Sequence, residues 1–287
     1  MAPRKEETPS GAKKRDGRLF AWHRRESRNK VEKLGFNNYG TRLPGIAPES
    51  LRGHLIVIEG ADGSGRTTEC AMLKEYLEVQ GHAVLETGLR RSNLVSEQID
   101  QAKQGHVLGA TTMALFYAVD FADQLENKIV PALAAGSIVL SDRYIFTLMA
   151  RAVVRGASRQ WAQHLYGFAI RPDMTILLET RPEILLHRAF GRYGSLDYWE
   201  SGMDLSLSRD LFESFFRYQD LLSREFEWMQ RDYDFARVDA NRAPEQVHVD
   251  VQRLIAPLYG AAEGANAPRP RRPRASLRRA RSRAASA

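Results

Sequence analysis

An apolar run ends at Glu59 and gives way to Gly60-Ala61-Asp62-Gly63-Ser64-Gly65-Arg66-Thr67-Thr68, after which helical spacing begins. Glycines at 60, 63 and 65 let the backbone turn tightly and approach an anion without Cβ clashes. The helix that follows aims unpaired N–H groups at that anion. The spacing fits a phosphate-binding loop, with Gly60 to Thr68 cradling a phosphate chain and the Thr67 hydroxyl meeting a magnesium ion. One position departs from the pattern G-x-x-x-x-G-K-[ST]: arginine stands at 66, where the pattern has lysine. Arginine keeps the charge that reaches the β- and γ-phosphates, but its planar fork is bulkier than an ammonium group. Taken alone, the stretch also fits a tight strand-to-helix turn that binds nothing.

Two more groups of residues could act on a phosphate. Asp142-Arg143-Tyr144 follows a third apolar run. Asp142 at a strand end can hold magnesium directly or through water, and Arg143 can grip a second phosphate with two parallel hydrogen bonds. The plainer alternatives are an ion pair between the two, or a helix cap by Asp142. Arg188 and Arg192 are four residues apart, just where Gly191-Arg192-Tyr193-Gly194 breaks a helical pattern. That spacing puts both guanidinium groups on one face at the start of a flexible segment. Phosphoryl transfer needs such a device, because positive charge must reach the migrating group while water is excluded. A solvated helix face is the other reading.

These residues need a scaffold that brings them to one rim. Short apolar runs at 54–59, 83–85, 137–141, 174–178 and 235–238 read as strands covered on both faces. Helical spacing fills the intervals at 67–80, 94–103, 109–135, 145–155, 158–169, from Pro182, at 205–231 and at 244–258, with Pro131 expected to bend or break its helix and Pro257 to end the last one. Strands alternating with helices predict an α/β fold, a doubly wound parallel five-stranded sheet with helices on both faces. Ligands of such sheets bind beyond the carboxyl ends of the strands, where the strand order reverses. The glycine-rich loop and Asp142-Arg143 both lie there.

Charge divides the chain. Of 42 Lys+Arg and 35 Asp+Glu, residues 1–52 hold 13 and 6, and residues 266–287 hold 8 and none, which leaves 21 and 29 for 53–265. The middle is therefore acidic, and attraction to polyanions belongs to the ends. Residues 1–52 are expected to form a basic, partly disordered extension, 53–262 the nucleotide-binding domain, and 263–287 a disordered Arg/Pro/Ala-rich tail. A solubilising tail is the plainer reading, and any weak contact with nucleic acid is expected through those ends only. Neither a secretory h-region nor a membrane-length apolar segment is present in the sequence, so a cytoplasmic protein is expected. The single cysteine, Cys70, excludes an internal disulfide.

Over about 54–258 the chain resembles the thymidylate kinases, a family of P-loop nucleoside-monophosphate kinases. The resemblance is carried by Ile58 to Thr68, Leu115-Phe116-Tyr117-Ala118, Pro131-Ala132-Leu133, Gly136, Asp142-Arg143-Tyr144, Arg171-Pro172-Asp173 and Val238-Asp239-Ala240. It implies transfer of the ATP γ-phosphate to dTMP with Mg²⁺, and a homodimer. By the same resemblance Asp62 lies near the acceptor and the transferred phosphate, Arg143 holds the acceptor phosphate, and Arg188 and Arg192 belong to the lid. Departures gather at the acceptor. Thr87-Gly88-Leu89-Arg90-Arg91 lacks the family's proline, with Arg90 the expected acceptor contact. Phe121 stands where an arginine reads the base, and Arg151 where an aromatic residue packs by the sugar. Phe121 can stack on a base but cannot donate a hydrogen bond. The alternative function is a non-catalytic P-loop protein that binds nucleotide and touches nucleic acid through its tails.

Overall fold

The structure, a computed structural model, describes residues 38–40, 44–47, 50–105 and 108–259, with 192, 193 and 259 by backbone alone. The tail 263–287 and most of the basic extension 1–52, which were expected to carry any contact with polyanions, lie outside the described residues.

Five strands form one sheet in the order β2-β3-β1-β4-β5: β1 His54–Gly60, β2 Val84–Gly88, β3 Ile138–Asp142, β4 Met174–Glu179 and β5 Ala236–Asp239. All neighbours run parallel. Parallel strands need crossovers, and the helices that supply them are α1 Arg66–Val79, α2 Ser96–Gly105, α3 Ala110–Gln124, α4 Val130–Ala134, α5 Ile145–Val154, α6 Arg159–Leu165, α7 Pro182–Tyr193, α8 Leu211–Tyr233 and α9 Pro244–Tyr259. The period-two alternation of β1 sorts the core into two layers. Ile56 and Ile58 pack with Leu73 and Leu77 of α1 and Val251 and Ile255 of α9. Leu55 and Val57 face the opposite layer, which holds Phe121 of α3, Phe146 of α5 and Tyr218 of α8. Strand order turns at β1, since β2 and β3 lie on one side of it and β4 and β5 on the other.

The expected helix over 109–135 is three pieces. Between α3 and α4 one π-helical turn, Leu125–Ile129, widens the backbone just before Pro131. Proline has no N–H to give to the preceding turn, and a wider turn absorbs the lost bond without ending the helix. The expected helix from 205 begins at Leu211 instead. Ser206 adopts a left-handed φ of 53°, and Asp210 caps the helix by accepting from the Glu213 amide at 2.8 Å. Pro257 sits inside the last turn of α9 rather than beyond it. On the amino side of residue 52, Asn38 bridges to Ile170, and the Tyr39 ring packs edge-on against Tyr233 at 5.3 Å. Among the described residues no helix is long and apolar enough to cross a membrane.

Candidate active site

The glycine-rich loop leaves the carboxyl end of β1 and enters α1 at Arg66. Gly60 has φ +148°, and a Cβ there would stand 2.8 Å from the Leu178 carbonyl oxygen, so the turn requires glycine. Arg66 is 4 % exposed. Its Nε donates to Asp142 Oδ1 at 2.9 Å. One terminal nitrogen donates to the carbonyls of Gly60 and Ala61, and the other lies 3.4 Å from Asp62 Oδ1. Thr67 Oγ1 donates to the second oxygen of Asp142 at 2.9 Å. The parallel register pairs Ile58 with Asp142, which places the end of β3 beside the mouth of the loop. Burial works against the Asp142 charge, but Arg66 and Arg143 overcome it and hold the carboxyl below its ordinary pKa.

Asp62 is the centre of a second cluster. Arg143 Nη2 donates to Asp62 Oδ1, and Arg151 Nη2, from α5, donates to Oδ2 at 2.7 Å. Burial alone would raise the Asp62 pKa; Arg143, Arg151 and Arg66 together drive it well below the usual carboxylate range. Arg143 has a left-handed φ of 73°, strained for a residue with a side chain, and its amide donates to Ile58 O at 2.9 Å. Its Nε is buried without a hydrogen-bond partner.

Glu59 is the last residue before the loop. Period two turns it to the α5 face, where it is fully buried. Its Oε1 accepts from the amides of Tyr144 at 2.8 Å and Thr147 at 3.2 Å, and its Oε2 accepts from Thr147 Oγ1 at 2.5 Å. The two amides are backbone donors left unpaired at the start of α5, so β1 caps the helix that carries Arg151. Burial raises the Glu59 pKa despite these bonds.

A cleft opens beside Asp62, walled by Tyr117 and Met113 of α3, Arg151 of α5, Arg155 just past the end of that helix, and Trp199 and Tyr218. Lys103 and Glu200 also line it. Arg155 is committed elsewhere: its Nε and Nη2 hold the Asp204 carboxylate at 2.8 and 3.1 Å, and its Nη1 donates to the Tyr218 hydroxyl at 2.9 Å. Trp199 Nε1 donates to the Lys103 carbonyl at 3.0 Å, which ties the 197–205 wall to α2.

Phe121 is 4 % exposed and packs edge-on against Tyr144 with ring centroids 5.0 Å apart. It is a core residue and does not line the cleft; Tyr117, one helical turn earlier, does. Arg90, after β2, has φ 58° and pairs with Asp100 at the rim. Its amide is held by Asp120, which also accepts from the amide of Ser92 at 2.9 Å. Arg188 lies across the loop, donating to the Gly63 and Ser64 carbonyls at 3.3 Å and to Ala240 O at 3.0 Å. Arg192 is in α7 by its backbone, and its side chain lies outside the described residues. Tyr117 and Arg155 were legible in principle. They stand one turn before Phe121 and one turn after Arg151, on helices already picked out.

A phosphate loop at the turning point of a parallel sheet, with Asp142 and Arg143 delivered beside it, defines a P-loop kinase. The thymidylate kinase family model matches residues 58–251. The chain is 33 % identical over 206 residues to the probable thymidylate kinase 2 of Saccharolobus solfataricus, covering 71 % of this chain and 96 % of that one. It is 30 % identical over 211 residues to the probable thymidylate kinase of Pyrococcus abyssi, covering 71 % and 97 %. With the thymidylate kinase of Ruegeria pomeroyi the identity is 32 % over 212 residues, covering 71 % and 94 %. The chain belongs to the thymidylate kinase family.

Proposed function

We propose that the protein transfers the γ-phosphate of ATP to a nucleoside monophosphate, dTMP in the first place, releasing ADP and dTDP. The observation that carries this reading is Asp62, a loop residue whose carboxylate is shared with Arg151 on the cleft wall and Arg143 on the rim. The donor and acceptor halves therefore meet at one side chain. The relatives' names supply the thymidylate.

Gly60 to Thr68 hold the ATP phosphates in this reading, with Arg66 across the loop and Arg188 strapping its backbone from α7. The paired Thr67 and Asp142 oxygens suit magnesium. Among the described residues no group of three or more His, Cys, Asp or Glu side chains could hold a metal by itself. A magnesium ion held by these two residues would keep several waters and take its other ligands from substrate phosphates. When bound, magnesium neutralises charge on the β- and γ-oxygens. Arg143 and Arg188 bring positive charge, Tyr117 and Trp199 offer faces for a base, and the buried site excludes water.

A cytoplasmic homodimer completes the reading. Leu115 and Val119 stand 45 % and 44 % exposed, one turn apart on α3, as an interface helix would show them. The deciding experiment is ADP release across dTMP, dUMP, UMP, CMP, GMP and AMP. The highest kcat/KM is expected for dTMP, and ATP binding without turnover on any acceptor overturns the proposal.

A further inference from the structure

We infer that Arg151 is a second ligand of the acceptor phosphate, opposed to Arg143 across it, and that Asp62 holds the two arginines at that spacing until the phosphate arrives. The inference rests on the proposed transfer to a nucleoside monophosphate and assigns the phosphate, not the sugar or base, to Arg151.

The geometry comes first. Arg143 follows β3 and Arg151 lies in α5, yet both donate to one carboxylate, each to a different oxygen. Carboxylate and phosphate accept the same guanidinium donors, so the Asp62 carboxylate occupies the place of a bridging anion. The direction of the cleft comes second. Transfer requires the acceptor phosphate to approach the donor loop. Arg151 lines the cleft and touches the loop through Asp62. Arg155, one turn on, is taken up by Asp204 and Tyr218.

Charge comes third. Arg66, Arg143 and Arg151 gather around two carboxylates, Asp62 and Asp142. The Arg143 Nε is buried without a hydrogen-bond partner. An arriving dianion supplies one.

Calorimetry on the full chain tests this with dTMP, thymidine and inorganic phosphate. Arg151→Met keeps the apolar stem and removes the donors. It should weaken dTMP binding by about ten- to hundredfold, the effect of one charged hydrogen bond, and leave thymidine within about twofold. Equal losses for dTMP and thymidine would make Arg151 a wall of the sugar site and overturn the inference, as would no loss for either. Asp62→Asn should bind inorganic phosphate at least about tenfold more tightly than the parental protein, because the competing carboxylate is gone. That gain should vanish in Asp62→Asn/Arg151→Met; a gain that persists there rules out the shared site. If the parental protein binds no nucleoside monophosphate at all, the proposed function itself fails and the inference with it.

Discussion

Arginine at position 66 is a bridge as well as a charge. Three of its contacts, to Asp142, to Asp62 and to the loop carbonyls, leave from different nitrogens of the fork. A single ammonium cannot reach them together. Arg66→Ala should therefore cut kcat by about a hundred- to thousandfold, as loss of a preorganised donor does, while circular dichroism stays unchanged. Arg66→Lys should retain measurable turnover but lose about 1–3 kcal/mol of stability in urea titration, because a buried carboxylate loses its partner. Lysine with full stability and activity would show that the bridge is idle. Glu59 gives a pH test. Its folded pKa is raised, so its contribution is complete below the unfolded value of about 4.3 and is lost as pH rises through the folded pKa. Glu59→Gln keeps an acceptor for the α5 amides and does not titrate. Relative to that variant the parental protein should lose stability from pH 4 towards neutrality; a parental gain over that range contradicts the assignment. That Thr67, Asp142, Asp62 and Arg143 come together on one rim could be read from sequence, because a local motif and a strand end fix their positions. The cap by Glu59 could not, since it depends on which face of β1 meets α5. Phe121 misled for a similar reason: the residue type suits stacking, but helix rotation decides what it stacks on.

The five strands were legible because buried parallel strands read as short apolar runs between turn residues, and each run became a strand within a few residues of its expected place. Helix ends were less legible where special backbone geometry decides them. The π turn before Pro131 keeps a helix going that proline alone predicts to bend or break. The polar stretch from 194 to 210 has no period to read, and its structure comes from side-chain ties. Arg155 clamps Asp204 in the short 3₁₀ turn Met203–Leu205, and Trp199 hangs on the Lys103 carbonyl. That segment supplies Trp199 and Glu200 to the cleft, so its order should set acceptor affinity. Asp204→Ala breaks the clamp without touching the loop or Asp62. The KM for dTMP should rise about ten- to a hundredfold, the worth of a charge-assisted bond, with kcat reduced far less. Equal loss in kcat and in kcat/KM would show instead that the clamp acts on the transition state.

Charge is arranged on the scale of the whole molecule as well. The segment 53–265 holds 29 acidic against 21 basic residues, so nucleotides are drawn in by the local arginines and not by a general positive field. The surplus of positive charge belongs to the ends, and the eight arginines of 266–287 have no acid among them. A basic segment binds polyanions by displacing their counterions, so its affinity falls steeply with salt, whereas a buried site screened from solvent changes little. Phosphoryl transfer and any polyanion binding should therefore separate on truncation. A chain ending at residue 265 should keep the kcat and KM of the full chain for dTMP and ATP. On a heparin column it should elute at lower salt, and in titration with single-stranded nucleic acid its affinity should depend less on salt concentration, since fewer phosphate contacts release fewer counterions. Both halves of that outcome are needed. Lost activity on truncation would mean that the tail folds over the cleft and takes part in the site. An unchanged salt slope would place polyanion binding on the N-terminal extension, where 13 Lys+Arg outnumber 6 Asp+Glu within residues 1–52.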